Sequence, residues 1–140
     1  MKQRWFFLLG TLWLLVVLAA CGQGSTTNIA PSVQVTETEY HIASSRTSFL
    51  PGTTYHFVVT NKGQTAHEFM ILPKSEGMMS ETHMQDMHAM ALAMIDHLNP
   101  GETKIFDYAF PSSAANSHPE FACYFPGHYE AGMKQQVIVS

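Results

Sequence analysis

From Ser32 to the C-terminus, apolar residues come in short stretches between polar ones, and Gly or Pro interrupts them repeatedly, as at Leu50-Pro51-Gly52, Asn99-Pro100-Gly101 and Pro126-Gly127. A chain punctuated in this way has room for strands but not for long helices. Val33, Val35 and Ile42 are apolar positions in a polar, β-prone stretch, and Tyr55-His56-Phe57-Val58-Val59 is rich in β-branched and aromatic residues. The turn Asn61-Lys62-Gly63 precedes a strand from His67 to Leu72. Further strands are expected over Thr103 to Phe110, Glu120 to Tyr124 and Gln135 to Val139. Short strands at this spacing predict an all-β fold, a Greek-key β-sandwich.

One segment departs from that pattern. Ser80 to Leu98 contains no Gly or Pro, and Met84, Met87, Ala91, Met94 and Leu98 recur at three- and four-residue intervals. The spacing predicts one inserted amphipathic helix, with Ser80 as N-cap and Asn99-Pro100-Gly101 as its stop.

The first twenty residues are of another kind. Lys2 and Arg4 precede an apolar run from Trp5 to Val17, and Leu18-Ala19-Ala20-Cys21 closes it. Charge, apolar stretch and small residues in that order are the plan of a secretory signal. The run is also short for a spanning helix, which needs roughly 20 apolar residues. Leu-Ala-Ala-Cys resembles the lipobox of bacterial lipoproteins, and that resemblance implies lipidation of Cys21 and cleavage before it. Residues 1–20 are then a signal peptide, 21–31 a flexible tether and 32–140 the folded domain. The expected location is the outer face of the cytoplasmic membrane, or the periplasmic side of a membrane. Without Lys2 and Arg4, five Lys and Arg remain against eleven Asp and Glu, a formal charge near −6. Nucleic acid is not an expected partner, because phosphate binding needs clustered Lys and Arg.

With Cys21 lipidated, Cys123 is the one thiol left in the domain. An exported protein cannot use it for an internal disulfide, and a bound metal would protect it from oxidation. The surrounding sequence, Cys123-Tyr-Phe-Pro-Gly-His128-Tyr-Glu-Ala-Gly-Met133, places a thiolate, an imidazole and a thioether at five-residue intervals on one loop. These are the soft and borderline donors that copper prefers. Pro126-Gly127 bends the chain so that Cys123 and His128 can face one point, and His67 offers a further donor from a strand start. Two His, one Cys and a weak axial Met make a blue-copper electron-transfer site. Zinc is the competing ion, since Cys, two His and a carboxylate also build its tetrahedral site.

The upstream His67 together with Cys-x4-His-x4-Met resembles the cupredoxin, or type 1 blue copper, family. Asn61 to Phe69 reads Asn-x-Gly-x-x-x-His-Glu-Phe and Phe121 to His128 reads Phe-Ala-Cys-x-x-Pro-Gly-His, similar to small exported bacterial cupredoxin-like copper-binding lipoproteins. The resemblance covers roughly Val33 to Val139. It implies a β-sandwich with the metal at one end, His67 and His128 as imidazole ligands, Cys123 as thiolate and Met133 as axial thioether. Many of these proteins carry Asn after the first histidine; here Glu68 stands there, and Glu130 lies on the ligand loop. Either carboxylate is an alternative contact to the metal or a support for its ligands.

The expectation is therefore a copper protein, not an enzyme, that exchanges one electron with a redox protein partner at a membrane. The alternative is copper delivery, storage or resistance, with the Met- and His-rich helix as a weak second Cu(I) site formed by Met84, Met87, His88 and Met94. Packing of that Met stripe on the sandwich is the reading favoured here, since a buried Met stabilises by about 1.5–3 kcal/mol without any metal.

Overall fold

The computed structural model describes residues 29–73 and 84–140. The signal sequence, Cys21 and the start of the tether lie outside the described residues, as do Ser80 and the residues just before it. The described chain forms strands β1 (Ser32–Thr38), β2 (His41–Ser44), β3 (Ser48–Phe49), β4 (Thr54–Asn61) and β5 (His67–Leu72), then helix α1 (Met84–Met90). After the helix come β6 (Ala93–Leu98), β7 (Thr103–Ala109), β8 (Glu120–Ala122), β9 (Lys134–Gln136) and β10 (Ile138–Val139).

Two four-stranded sheets and one strand pair result. The first sheet has the order β2-β1-β4-β7, in which β1 and β4 run parallel and the other neighbours antiparallel. The second, β6-β5-β8-β9, is antiparallel throughout, and β10 pairs with β3. Alternation along each strand sends Val33 and Val35 of β1, Phe57 and Val59 of β4, Phe69 and Ile71 of β5, and Phe121 beyond them into one shared core. Phe57 stacks on Phe106 at 5.2 Å, and the rings of Phe49, Phe69 and Phe121 close around it. Among the described residues this is the expected β-sandwich with one short α-helix.

Strand β5 is buried at every position. Its second face carries Met70 and Leu72, which pack with Met87 of α1 and with Ala122, Tyr124 and Tyr129 in a smaller cluster. The helix thus covers the outside of the second sheet, and this double burial makes β5 a firm platform for what it carries.

The predicted helix is corrected in extent. It ends at Met90, and Ala93–Leu98 is an edge strand, with Met94 opposite Met70 and Ile95 opposite Phe69. Sheet hydrogen bonds to the open edge of β5 outweigh the local helical preference, a tertiary effect that intrinsic propensity does not register. A register shift between His67 and Phe69 breaks the clean two-residue alternation, so β6 hides inside a helix-like spacing.

Candidate metal centre

The site is assembled from one strand start and one loop. His67 opens β5, and Cys123 directly follows β8, where alternation turns Phe121 and Cys123 toward the main core and Ala122 and Tyr124 toward the helix. The loop from Tyr124 to Gly132 then returns the chain to β9. The His128 amide donates to the Phe125 carbonyl at 2.9 Å, and Gly127 takes a φ of +82°, the signature of a type II turn with Pro126 in its second place. Gly132, at φ +106°, makes the second bend that only glycine adopts freely. Backbone bonds from Met133 N to His128 O (3.0 Å) and from Cys123 N to Met133 O (3.1 Å) draw the loop closed, and Tyr129 stacks on Tyr124 at 4.4 Å.

The consequence is convergence. Ligand atoms of His67, Cys123 and His128 all lie within 4.8 Å of one another, the first two residues buried and His128 half-buried. His67 Nδ1 faces His128 Nδ1 at 3.2 Å, and Cys123 Sγ lies 3.5 Å from the same His128 nitrogen. Bonds of about 2.0 Å to nitrogen and 2.3 Å to sulfur from a common ion would give separations of roughly 3.2–3.5 Å at near-tetrahedral angles. The residues present therefore fit a metal ion. Met133 is fully buried in the core cluster that also contains Cys123.

Burial sets the charge states of the metal-free donors. Burial pushes the Cys123 thiol up to about 12, with the Glu37 and Glu68 carboxylates adding to the effect and the Glu68 and Phe125 amides opposing it. A proton thus stays on the sulfur until a cation displaces it. Burial, and then the proximity of His128, lower the pKa of His67, with Glu39 opposing, so its imidazole lone pair is free at neutral pH.

The carboxylates sit around the donors, not among them. Glu68 is fully buried; its Oε1 accepts the Tyr124 amide at 2.7 Å and its Oε2 accepts His88 Nε2–H of α1 at 2.9 Å. Its own amide donates to Cys123 Sγ at 3.5 Å. Glu68 thereby ties the His67 strand to the Cys123 loop. Glu130 is exposed on the loop, and neither glutamate contributes an oxygen to the group of mutually close donors. Of the proposed second copper site, Met87 is buried in the smaller cluster with Met94 packed against it, and His88 is engaged with Glu68. The side chain of Met84 lies outside the described residues.

Sequence reasoning passed over three residues here. Buried Asn61 donates to the carbonyls of Thr65 (2.8 Å) and Leu98 (2.9 Å) and accepts the Gly63 amide (2.8 Å), which fixes the approach to His67. Glu37 is buried in β1 with both oxygens lacking a hydrogen-bond partner among the described residues. Its place in the Val33-x-Val35-x-Glu37 alternation was the available signal. Glu39 lies in the β1–β2 turn beside His67.

No protein-family model matches the chain. The sandwich has a cupredoxin-like fold and carries a His-Cys-His cluster. Its fold is that of auracyanin from Roseiflexus castenholzii, solved in dithionite-reduced form (TM-score 0.62, 18% identity, 79% of this chain and 98% of that one). Auracyanin B is similar to the same degree (TM-score 0.62, 24% identity, 79% and 89% covered). Among curated proteins the chain is similar to the copper-resistant cuproprotein CopI of Rubrivivax gelatinosus, 34% identical over 93 residues, which is 63% of this chain and 53% of that protein. CopI of Vibrio cholerae is 34% identical over 89 residues, 62% of this chain and 51% of that protein. The chain thus spans about half the length of these relatives.

Proposed function

We propose that this protein binds one copper ion through His67, Cys123 and His128, with Met133 as a weaker thioether donor, and carries single electrons between redox partners. The observation that carries the reading is the convergence of two imidazole nitrogens and one thiol sulfur within 4.8 Å at the end of a β-sandwich. Bound copper supplies a one-electron couple, and the chain supplies the rest. Cys123 gives up its proton to become a thiolate, and two neutral imidazoles complete a donor set suited to both Cu(I) and Cu(II). The loop bonds and the Glu68 bridge hold those donors in place as the charge changes, which keeps rearrangement small. His128 is the half-exposed ligand, with the exposed Tyr40 ring edge-on to it at 5.6 Å, and that edge is where a partner would approach. In this reading the protein is a carrier, not an enzyme, held by lipid on Cys21 at the outer face of the cytoplasmic membrane or the periplasmic side of a membrane.

A second reading rests on the copper-resistant cuproproteins that the chain resembles: copper binding for delivery, storage or resistance. Redox titration of the copper-loaded protein separates the two. Electron carriage predicts repeated oxidation and reduction at unchanged copper content. Release of copper on each reduction, with transfer to a second protein, would favour copper handling and count against carriage.

A further inference from the structure

His67 leaves a polar atom unaccounted for. Its Nδ1 faces His128 Nδ1 at 3.2 Å, so a metal bound on that side leaves the ring proton on Nε2, and Nε2 is buried with no hydrogen-bond partner among the described residues. A buried N–H without an acceptor costs about 1–3 kcal/mol. Histidines that bind metal through one ring nitrogen nearly always donate the other N–H to a carboxylate, a carbonyl or water, which fixes the ring and strengthens it as a donor.

The space beside Nε2 is bounded by Gly63 and Glu39. A Cβ placed on Gly63 would lie 3.0 Å from His67 Nε2 and 2.6 Å from Glu39 Oε1, so the missing methyl opens a passage between these two atoms. Gly63 is not among the glycines with positive φ, so its backbone does not demand glycine and the passage does. The Glu39 carboxylate is already anchored there, accepting the Gln64 amide and, at 3.2 Å, the Thr65 amide. The neighbouring Tyr40, at φ +59°, places its ring against His128, so one turn reaches both histidines.

We propose that Glu39 is a positioning residue for the metal centre, its carboxylate receiving the Nε2–H of His67 through one water in the space that Gly63 leaves open. The inference rests on the reading of His67 as a ligand. A carboxylate in that place makes the imidazole a stronger donor and favours Cu(II) over Cu(I), so its removal should weaken Cu(II) binding more than Cu(I) binding and raise the reduction potential.

The test compares full-length wild type with Glu39→Gln, Glu39→Ala and His67→Ala. Glu39→Gln keeps an oxygen for the two loop amides and loses the charge, so the loop holds while the donor is weakened. Cu(II) affinity, by chelator competition, should fall about 10–100-fold in Glu39→Ala. The potential should rise in both Glu39 variants, and the ring Nε2–H signal in proton–nitrogen NMR of the Cu(I)-loaded protein should shift in both. A residue that merely capped the loop would lower the melting temperature of Glu39→Ala and leave potential and ring signal at their wild-type values. That result overturns the proposal. If His67→Ala itself binds copper with unchanged affinity and potential, the ligand reading fails instead.

Discussion

Glu37 carries the clearest pH signature in the molecule. Burial first, and then the charge of Glu68, push its carboxyl from 4.5 to about 8, so the fold holds it protonated. The unfolded chain releases that proton above pH 4.5, so the stabilisation of the protonated group is complete below that value and is lost as pH rises toward 8. The slope is about 1.4 kcal/mol per pH unit, and the loss at pH 7 is on the order of 3 kcal/mol. In the metal-free protein, urea unfolding at pH 5 to 8 should show Glu37→Gln gaining on wild type by about that slope. Parallel pH profiles for the two proteins would show that Glu37 is not held neutral. The proximity of Cys123 and His128 was legible because only four residues, with a Pro-Gly turn among them, separate them on one loop. That of Glu39 and His67 was not, since it depends on how the β1–β2 turn meets a loop 25 residues further along the chain.

Among the elements, α1 and β6 show where periodicity misleads. Met87 and Met94 satisfy a helical spacing, yet one lies on a helix and the other on strand β6 opposite Met70, and both join the smaller apolar cluster that contains Met70. Their burial in one apolar cluster is a packing role, which volume-conserving substitution should preserve. Met87→Leu with Met94→Leu should cost less than about 1.5 kcal/mol per site. Anaerobic Cu(I) competition should give one equivalent for wild type and for the double variant. A second equivalent in wild type that vanishes with the two sulfurs would instead make this cluster a copper site. Strands β1, β4, β5, β7 and β8 were readable from alternation and from their turns, while β3 and β6 were not. The end of the helix was not, because pairing with the free edge of β5 decides it.

At the scale of the molecule, two sheets locked by an aromatic core carry a loop whose bends and bonds allow little movement, and three donors meet where that loop crosses β5. The proposed lipid anchor has a test of its own: Cys21→Ser should abolish diacylglycerol labelling and leave the precursor unprocessed. Label on that variant, or an unmodified wild type, would remove the anchor. The central claim is that Cys123 binds copper directly beside His67 and His128. The visible absorption spectrum of the oxidised, copper-loaded protein tests it, taken alongside Cys123→Ser that circular dichroism shows to be folded. The account predicts an intense thiolate-to-copper band in wild type and its loss in the variant; a variant that keeps the colour, or a copper-loaded wild type without the band, would contradict it.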